Sequence, residues 1–149
     1  MIHKRLLTVA LLAISAISAQ GQTARLYTSG EGLANSYING IFQDSKGFIW
    51  VPTENGLSKF DGMSFTNRRH NPSRQNSLAS NTARTVLEDS RGVLWVGTSA
   101  GLQILDTEYG TFSKVNLEDW NVPESDQHIT DLKEISIKGD DENISTFFI

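Results

Sequence analysis

Two stretches of this 149-residue chain superimpose residue for residue without a gap. Ile41–Asp61 reads IFQDSKGFIWVPTENGLSKFD, and Val86–Asp106 reads VLEDSRGVLWVGTSAGLQILD. Asp44 matches Asp89, Gly47 Gly92, Trp50 Trp95, Thr53 Thr98, Gly56 Gly101, Leu57 Leu102 and Asp61 Asp106, each pair 45 residues apart. Differences between the copies are mostly mild, such as Lys46 for Arg91 and Phe60 for Leu105. A unit that recurs at fixed spacing buries its apolar face against its neighbour rather than within itself, so the chain is an array and not a single-core domain.

A period of 40–45 residues with Gly and Trp at constant phase predicts a propeller blade, four short strands folded as an antiparallel meander. In the first copy the inner strand is expected over Tyr37–Gln43, the second over Phe48–Val51 and the third over Leu57–Phe60, with the outer strand around Phe65. Asp44-Ser45-Lys46-Gly47 and Glu54-Asn55-Gly56 read as the turns between them. The second copy runs Thr82–Glu88, Val93–Thr98, Leu102–Leu105 and Phe112–Val115. The expected fold is all-β: two four-stranded antiparallel blades over 22–70 and 71–117, with an acidic tail or incomplete third blade over 118–149.

The pattern G-x-[IL]-W-V-x-T-x-x-G-L-x-x-x-D, with Asp three residues before the first Gly, resembles the two-component regulator propeller repeat. The lead-ins Tyr27–Ser36 and Asn76–Asn81 are similar to that family's blade openings, so the resemblance covers Ala24 to about Val115. It implies the periplasmic sensor region of a bacterial hybrid two-component system, of the kind that regulates polysaccharide use in gut Bacteroidetes. It further implies recognition of a glycan breakdown product and signalling to a histidine kinase. Pro52 departs from the pattern, because the second copy has Gly97 there. Proline gives up a ladder donor and is expected at a strand end or bulge.

Residues 1–21 form a separate object: Lys4 and Arg5, an apolar run over Leu6–Ile17, then small residues at Ser18, Ala19 and Gly21. This is the pattern of a secretory signal peptide, with cleavage expected between Ser18 and Gln22 and a periplasmic or secreted product. The run is shorter than the roughly 20 apolar residues that span a bilayer. Its loss would take the formal charge from −4 to −6, which argues against a nucleic-acid partner. The chain has no cysteine, which removes disulfides, thiolate metal sites and cysteine nucleophiles together.

A third repeat should bring its Trp at position 140, where the sequence has Asp140. Ile129–Leu132 could begin another inner strand and Asp140–Ile144 a further turn and strand. Glu118, Asp119, Glu124, Asp126, Asp131 and Glu134, with Asp140–Glu142, read as a solvated acidic face or frayed tail. Because closed propellers need about 4–8 blades, the expectation is the N-terminal fragment of a longer sensor, partnered by the remaining blades. The membrane would then be reached only through downstream segments. The alternative is a free-standing periplasmic binding or scaffold protein that completes its ring by self-association.

Trp50 and Trp95 recur in phase and are expected as wedges between blades; Asp44 and Asp89 recur with the turns and are expected to hold backbone amides. Gly97 belongs to the same structural motif. His3 leaves with the signal peptide, and His70 and His128 lack metal-ligand spacing. No phosphate loop or nucleophile elbow is present, so no catalytic residue, cofactor or metal is expected, and no enzymatic activity of this chain is expected. The least repeat-like segment, Asn67–Asn81, gathers Arg68, Arg69, His70 and Arg74 in an otherwise acidic protein. These residues, with Trp120 as a stacking platform, are the candidate site for an oligo- or polysaccharide ligand, an anionic one being held by the forked guanidinium donors. A solvated polar loop is the plain alternative.

Overall fold

The computed structural model describes residues 24–118, 122–123, 127–138 and 143–148, the residues from 135 onward by backbone course alone. The expected signal peptide and Trp120 lie outside the described residues. A short 3-10 helix, η1 (Ser29–Glu31), is capped by Thr28, whose hydroxyl accepts from Gly30 N–H at 3.1 Å while Glu31 reaches back to the Thr28 amide at 2.8 Å. That hydrogen bonding with Thr28 holds the Glu31 carboxyl below its ordinary pKa.

The expected blades are present. The first sheet runs in order β1 (Phe42–Gln43), β2 (Ile49–Thr53), β3 (Gly56–Phe60) and β4 (Phe65–Arg68), all antiparallel. The second runs β5 (Ala83–Glu88), β6 (Leu94–Thr98), β7 (Gly101–Asp106) and β8 (Thr111–Lys114) in the same order. Gly56 and Gly101, at φ +121° and +116°, open the third strand of each blade in a conformation that side chains disfavour. A third, two-stranded sheet pairs β9 (Lys133–Lys138) with β10 (Asn143–Phe148), from Lys133 opposite Phe148 to Lys138 opposite Asn143. Ile129–Leu132 is therefore not strand; it is the approach to β9.

One strand departs from expectation. The inner strand of the first blade is not continuous over Tyr37–Gln43 but consists of an isolated bridge between Ile38 and Thr53 and the two residues of β1. The cause is Pro52, which lies inside β2 one residue from its end and is buried. Asn39 N–H donates to the Pro52 carbonyl at 2.9 Å, so that carbonyl, and with it the missing N–H, faces the inner strand. The inner ladder breaks there, while Pro52 still pairs with Leu57 in β3. In the second blade Gly97 pairs with Thr85 and β5 extends over six residues, with one register shift between Ala83 and Thr85.

The blades stack through two apolar clusters. Between the first and second lie Trp50, Leu57 and Phe42 from one side and Leu78, Ala83, Val86, Leu94, Val96, Leu105 and Phe112 from the other. On the opposite face of the second blade, Trp95, Leu102 and Leu87, the repeat equivalents of Trp50, Leu57 and Phe42, meet Leu117, Val122, Ile129 and Leu132. Trp50 thus lies as a wedge between the two blades, while Trp95 packs between the second blade and the segment that follows it. Each lead-in is pinned alike: Ala34 N–H donates to Ser58 Oγ at 2.9 Å, and 45 residues on Ala79 N–H donates to Gln103 Oε1 at 2.7 Å.

Candidate functional site

The repeated carboxylates are structural. Asp44 Oδ1 accepts from the amides of Lys46 at 3.0 Å and Phe48 at 2.9 Å, and its Oδ2 accepts the Trp50 indole N–H at 2.8 Å. Asp89 repeats this with Arg91, Val93 and Trp95 at 3.0, 2.9 and 3.1 Å. Asp89 also accepts Arg91 Nη2 at 2.6 Å. Burial pushes the Asp89 carboxyl up, but hydrogen bonds from Arg91, the Val93 amide and Trp95 together outweigh it and hold the group below the usual carboxylate range. The turn is therefore a device that seats the wedge, since one carboxylate orders the turn and satisfies the buried indole.

A second recurring device was not legible in the sequence. Glu88, at the end of β5, accepts from the Ser45 amide at 2.5 Å and the Ser45 hydroxyl at 2.7 Å. Glu134, in β9, accepts from the amide and hydroxyl of Ser90 at 2.9 and 2.8 Å. Each inner strand thus clamps the turn of the preceding blade, and Glu134, expected in a solvated acidic face, is one of the clamps. The signal was out of phase: Glu88 follows Ser45 by 43 residues and Glu134 follows Ser90 by 44.

The structure brings four of the five candidate ligand residues to one place. A cleft of about 360 Å³ between the outer strands of the two blades is lined by Arg68, Arg69, His70 and Arg74 on one side and by Tyr109–Phe112 on the other. The sequence alone did not point to the second wall. Arg69 is engaged in structure, its Nε donating to the Asn55 carbonyl at 3.1 Å and its Nη2 to the Ala34 carbonyl at 3.3 Å. His70 Nδ1 lies 2.8 Å from the Leu78 carbonyl, which requires the proton on Nδ1 and leaves Nε2 as the ring's remaining polar atom. Among the described residues the single ion pair is Arg91–Asp89, so Arg68 and Arg74 face no carboxylate partner there. Among them, too, no three or more His, Asp or Glu side chains gather as a metal site would require, and His128 is exposed.

Against known proteins, the family described as two component regulator propeller matches at residues 32–55 and 77–100, the lead-in through the second strand of each blade. Histidine kinase P4 of Formosa agariphila is 37% identical over 76 residues, 48% of this chain and 6% of its own. The extracellular domain of a hybrid two component system from B. thetaiotaomicron superimposes with a TM-score of 0.58 at 32% identity, over 76% of this chain and 16% of that one. That of a second such system from the same organism gives 0.52 at 22%, over 64% and 14%, and supports the fold alone. The chain spans a small part of each relative's length. No helix among the described residues is long and apolar enough to cross a membrane.

Proposed function

We propose that this chain, whose two blades are two-component regulator propeller repeats, contributes blades to the extracytoplasmic sensor of a larger two-component protein that responds to glycan-derived ligands. The observation that carries the reading is the likeness, at 32% identity and a TM-score of 0.58, to the extracellular domain of a hybrid two component system. It agrees with the physics of the array. The two blades bury their facing sides against each other while Ile38 and Ile41 of the first stay exposed, which supports two blades acting as part of a longer stack whose signal leaves through other segments. Residues 1–21, read as a signal peptide, direct the chain to the periplasm. Recognition falls to loops at the blade junctions, such as Asn67–Asn81 with its arginines.

The test is a strain in which this gene is disrupted, grown on a panel of purified polysaccharides with transcription measured across the genome. The expected result is lost induction of a glycan-use locus on one or a few of them. Unchanged transcription on every glycan would overturn the sensor role and favour a free-standing binding protein.

A further inference from the structure

Resting on the sensor reading above, we infer that the cleft between β4 and the β7–β8 hairpin binds an oxyanion carried on a hydroxyl-rich ligand, with Arg68 and Arg74 as the charged donors. Its volume of about 360 Å³ falls within the roughly 300–1,000 Å³ of small-molecule sites. Its walls carry three arginines, a histidine and several amide and hydroxyl side chains, and no Asp or Glu, in a chain whose net charge is −4. A cationic concavity in an acidic protein, with no carboxylate against it among the described residues, is matched by a ligand that brings the anion itself. Arginine suits this because its fork of donors fits carboxylate, sulfate and phosphate oxygens.

The hairpin is shaped around Arg68. A Cβ built at Gly110 would stand 2.6 Å from Arg68 Cζ, so the guanidinium lies where any other residue's side chain would begin. Gly110 also has φ +67°, and its amide donates to the Asp106 carbonyl at 2.8 Å, which fixes the turn beneath the guanidinium. The Arg68 guanidinium thus packs against this turn with no counter-charge among the described residues. Tyr109, 74% exposed on the same turn, offers an aromatic face beside it for a sugar ring. Arg74 sits on the Asn71–Ser77 loop, which is closed by its own bonds: Arg74 N–H to the Asn71 carbonyl at 2.9 Å and Ser77 N–H to the Arg74 carbonyl at 3.1 Å. Its side chain is left for a ligand. Arg69, tied to the Asn55 and Ala34 carbonyls, is excluded from the donor set.

The experiment is amide NMR on the full chain titrated with galacturonate, sulfate, inorganic phosphate and neutral glucose. The charged probes are expected to shift the amides of Asn71, Ser77, Gly110 and Thr111, and glucose is not. Arg68→Ala with Arg74→Ala should weaken binding by at least roughly tenfold. Arg74→Ala alone, on an exposed loop closed by backbone bonds, and Gly110→Ala, which displaces the guanidinium, should each weaken it without unfolding the chain. Response to galacturonate alone assigns a uronate; response to sulfate and phosphate alone assigns a sulfate or phosphate ester. Equal shifts from glucose, shifts scattered outside the cleft, or binding indifferent to all three variants would overturn the site. Genome-wide transcription tests the sensor reading separately, so each can fail without the other.

Discussion

The same face of the two blades meets opposite surroundings. In the second blade Ala83, Val86, Leu94 and Leu105 are buried under the Trp50 face of the first. Their repeat equivalents in the first blade are Ile38, Ile41, Ile49 and Phe60, as apolar or more so, yet Ile38 is 46% and Ile41 70% exposed. Burial in this array is therefore conferred by the preceding blade and not by the residue. An apolar strand position is core only if something stacks on it. The uncovered face is partly dressed: the lead-in places Leu33 and Ala34 in buried positions, and Tyr27 packs edge-on against Phe60 and Phe65 at 5.0 and 5.6 Å. The inner strand itself stays open.

The sharpest way to break the comparison is to charge both faces. Val86→Asp buries a carboxylate beneath Trp50 and should cost at least about 4 kcal/mol, enough to abolish cooperative unfolding in urea. Ile41→Asp, at the matching position, should change stability by no more than about 0.5 kcal/mol. Equal losses would mean that the Ile41 face is covered in solution by another blade, and sedimentation would then report a second copy.

Next in size is the wedge. Trp50→Ala removes a fully buried indole between two four-stranded sheets and leaves Asp44 Oδ2 without its donor, at a cost of about 3–5 kcal/mol. Intrinsic fluorescence during denaturation in a Trp120→Phe background, with Trp95 the one indole left, separates loss of the blade junction from loss of the second blade. A cost under about 1 kcal/mol would show that the blades stand independently.

What the sequence made legible follows from phase. Residues that serve the same purpose in both blades stand 45 apart, and so the wedges, the turn carboxylates, the opening glycines and the strand order could all be read. What escaped was out of phase or non-local. The Glu88 and Glu134 clamps sit at 43 and 44 residues from their serines, and the second wall of the cleft lies about 40 residues beyond the first. Arg69, chosen with its neighbours by charge, is drawn off by the carbonyls of Asn55 and Ala34, which only tertiary structure brings within reach.

Pro52 shows how a departure from phase can be compensated. In the first blade the bulky Pro52 lies across from Gly40, whose Cβ would meet Pro52 Cγ at a comfortable 3.6 Å. In the second blade the sizes are exchanged: Gly97 faces Thr85, and a Cβ at Gly97 would lie 2.7 Å from Thr85 Cγ2 and 3.0 Å from Ile129 Cβ. Gly97→Ala should therefore cost about 1–3 kcal/mol by overpacking. Thr85→Gly should restore only part of that, because Ile129 remains. Pro52→Ala should cost less than about 1 kcal/mol. Chemical denaturation of the three variants checks the order, and a neutral Gly97→Ala would remove the volume argument.

The smallest difference between the blades is the cation beside the turn. Arg91 donates Nε and Nη2 to Asp89 Oδ2 at 3.1 and 2.6 Å, so Asp89 carries an ion pair in addition to the amide and indole donors that both turns share. Arg91 is 65% exposed, so the pair is well screened and Arg91→Ala should cost only a few tenths of a kcal/mol at neutral pH. Its pH dependence is the better signature. The folded-state pKa of Asp89 lies below its unfolded value, so the native state binds fewer protons in that window. The associated stability is fully present above the unfolded value of about 3.9 and is lost as pH falls through the folded one. Removing the guanidinium should move the Asp89 titration upward, and the stability gap between wild type and variant should close on acidification. Carboxyl-carbon NMR across pH 2–6 would read this directly. An unmoved Asp89 titration in Arg91→Ala would assign the depression to the Val93 amide and the Trp95 indole, donors whose counterparts also serve Asp44.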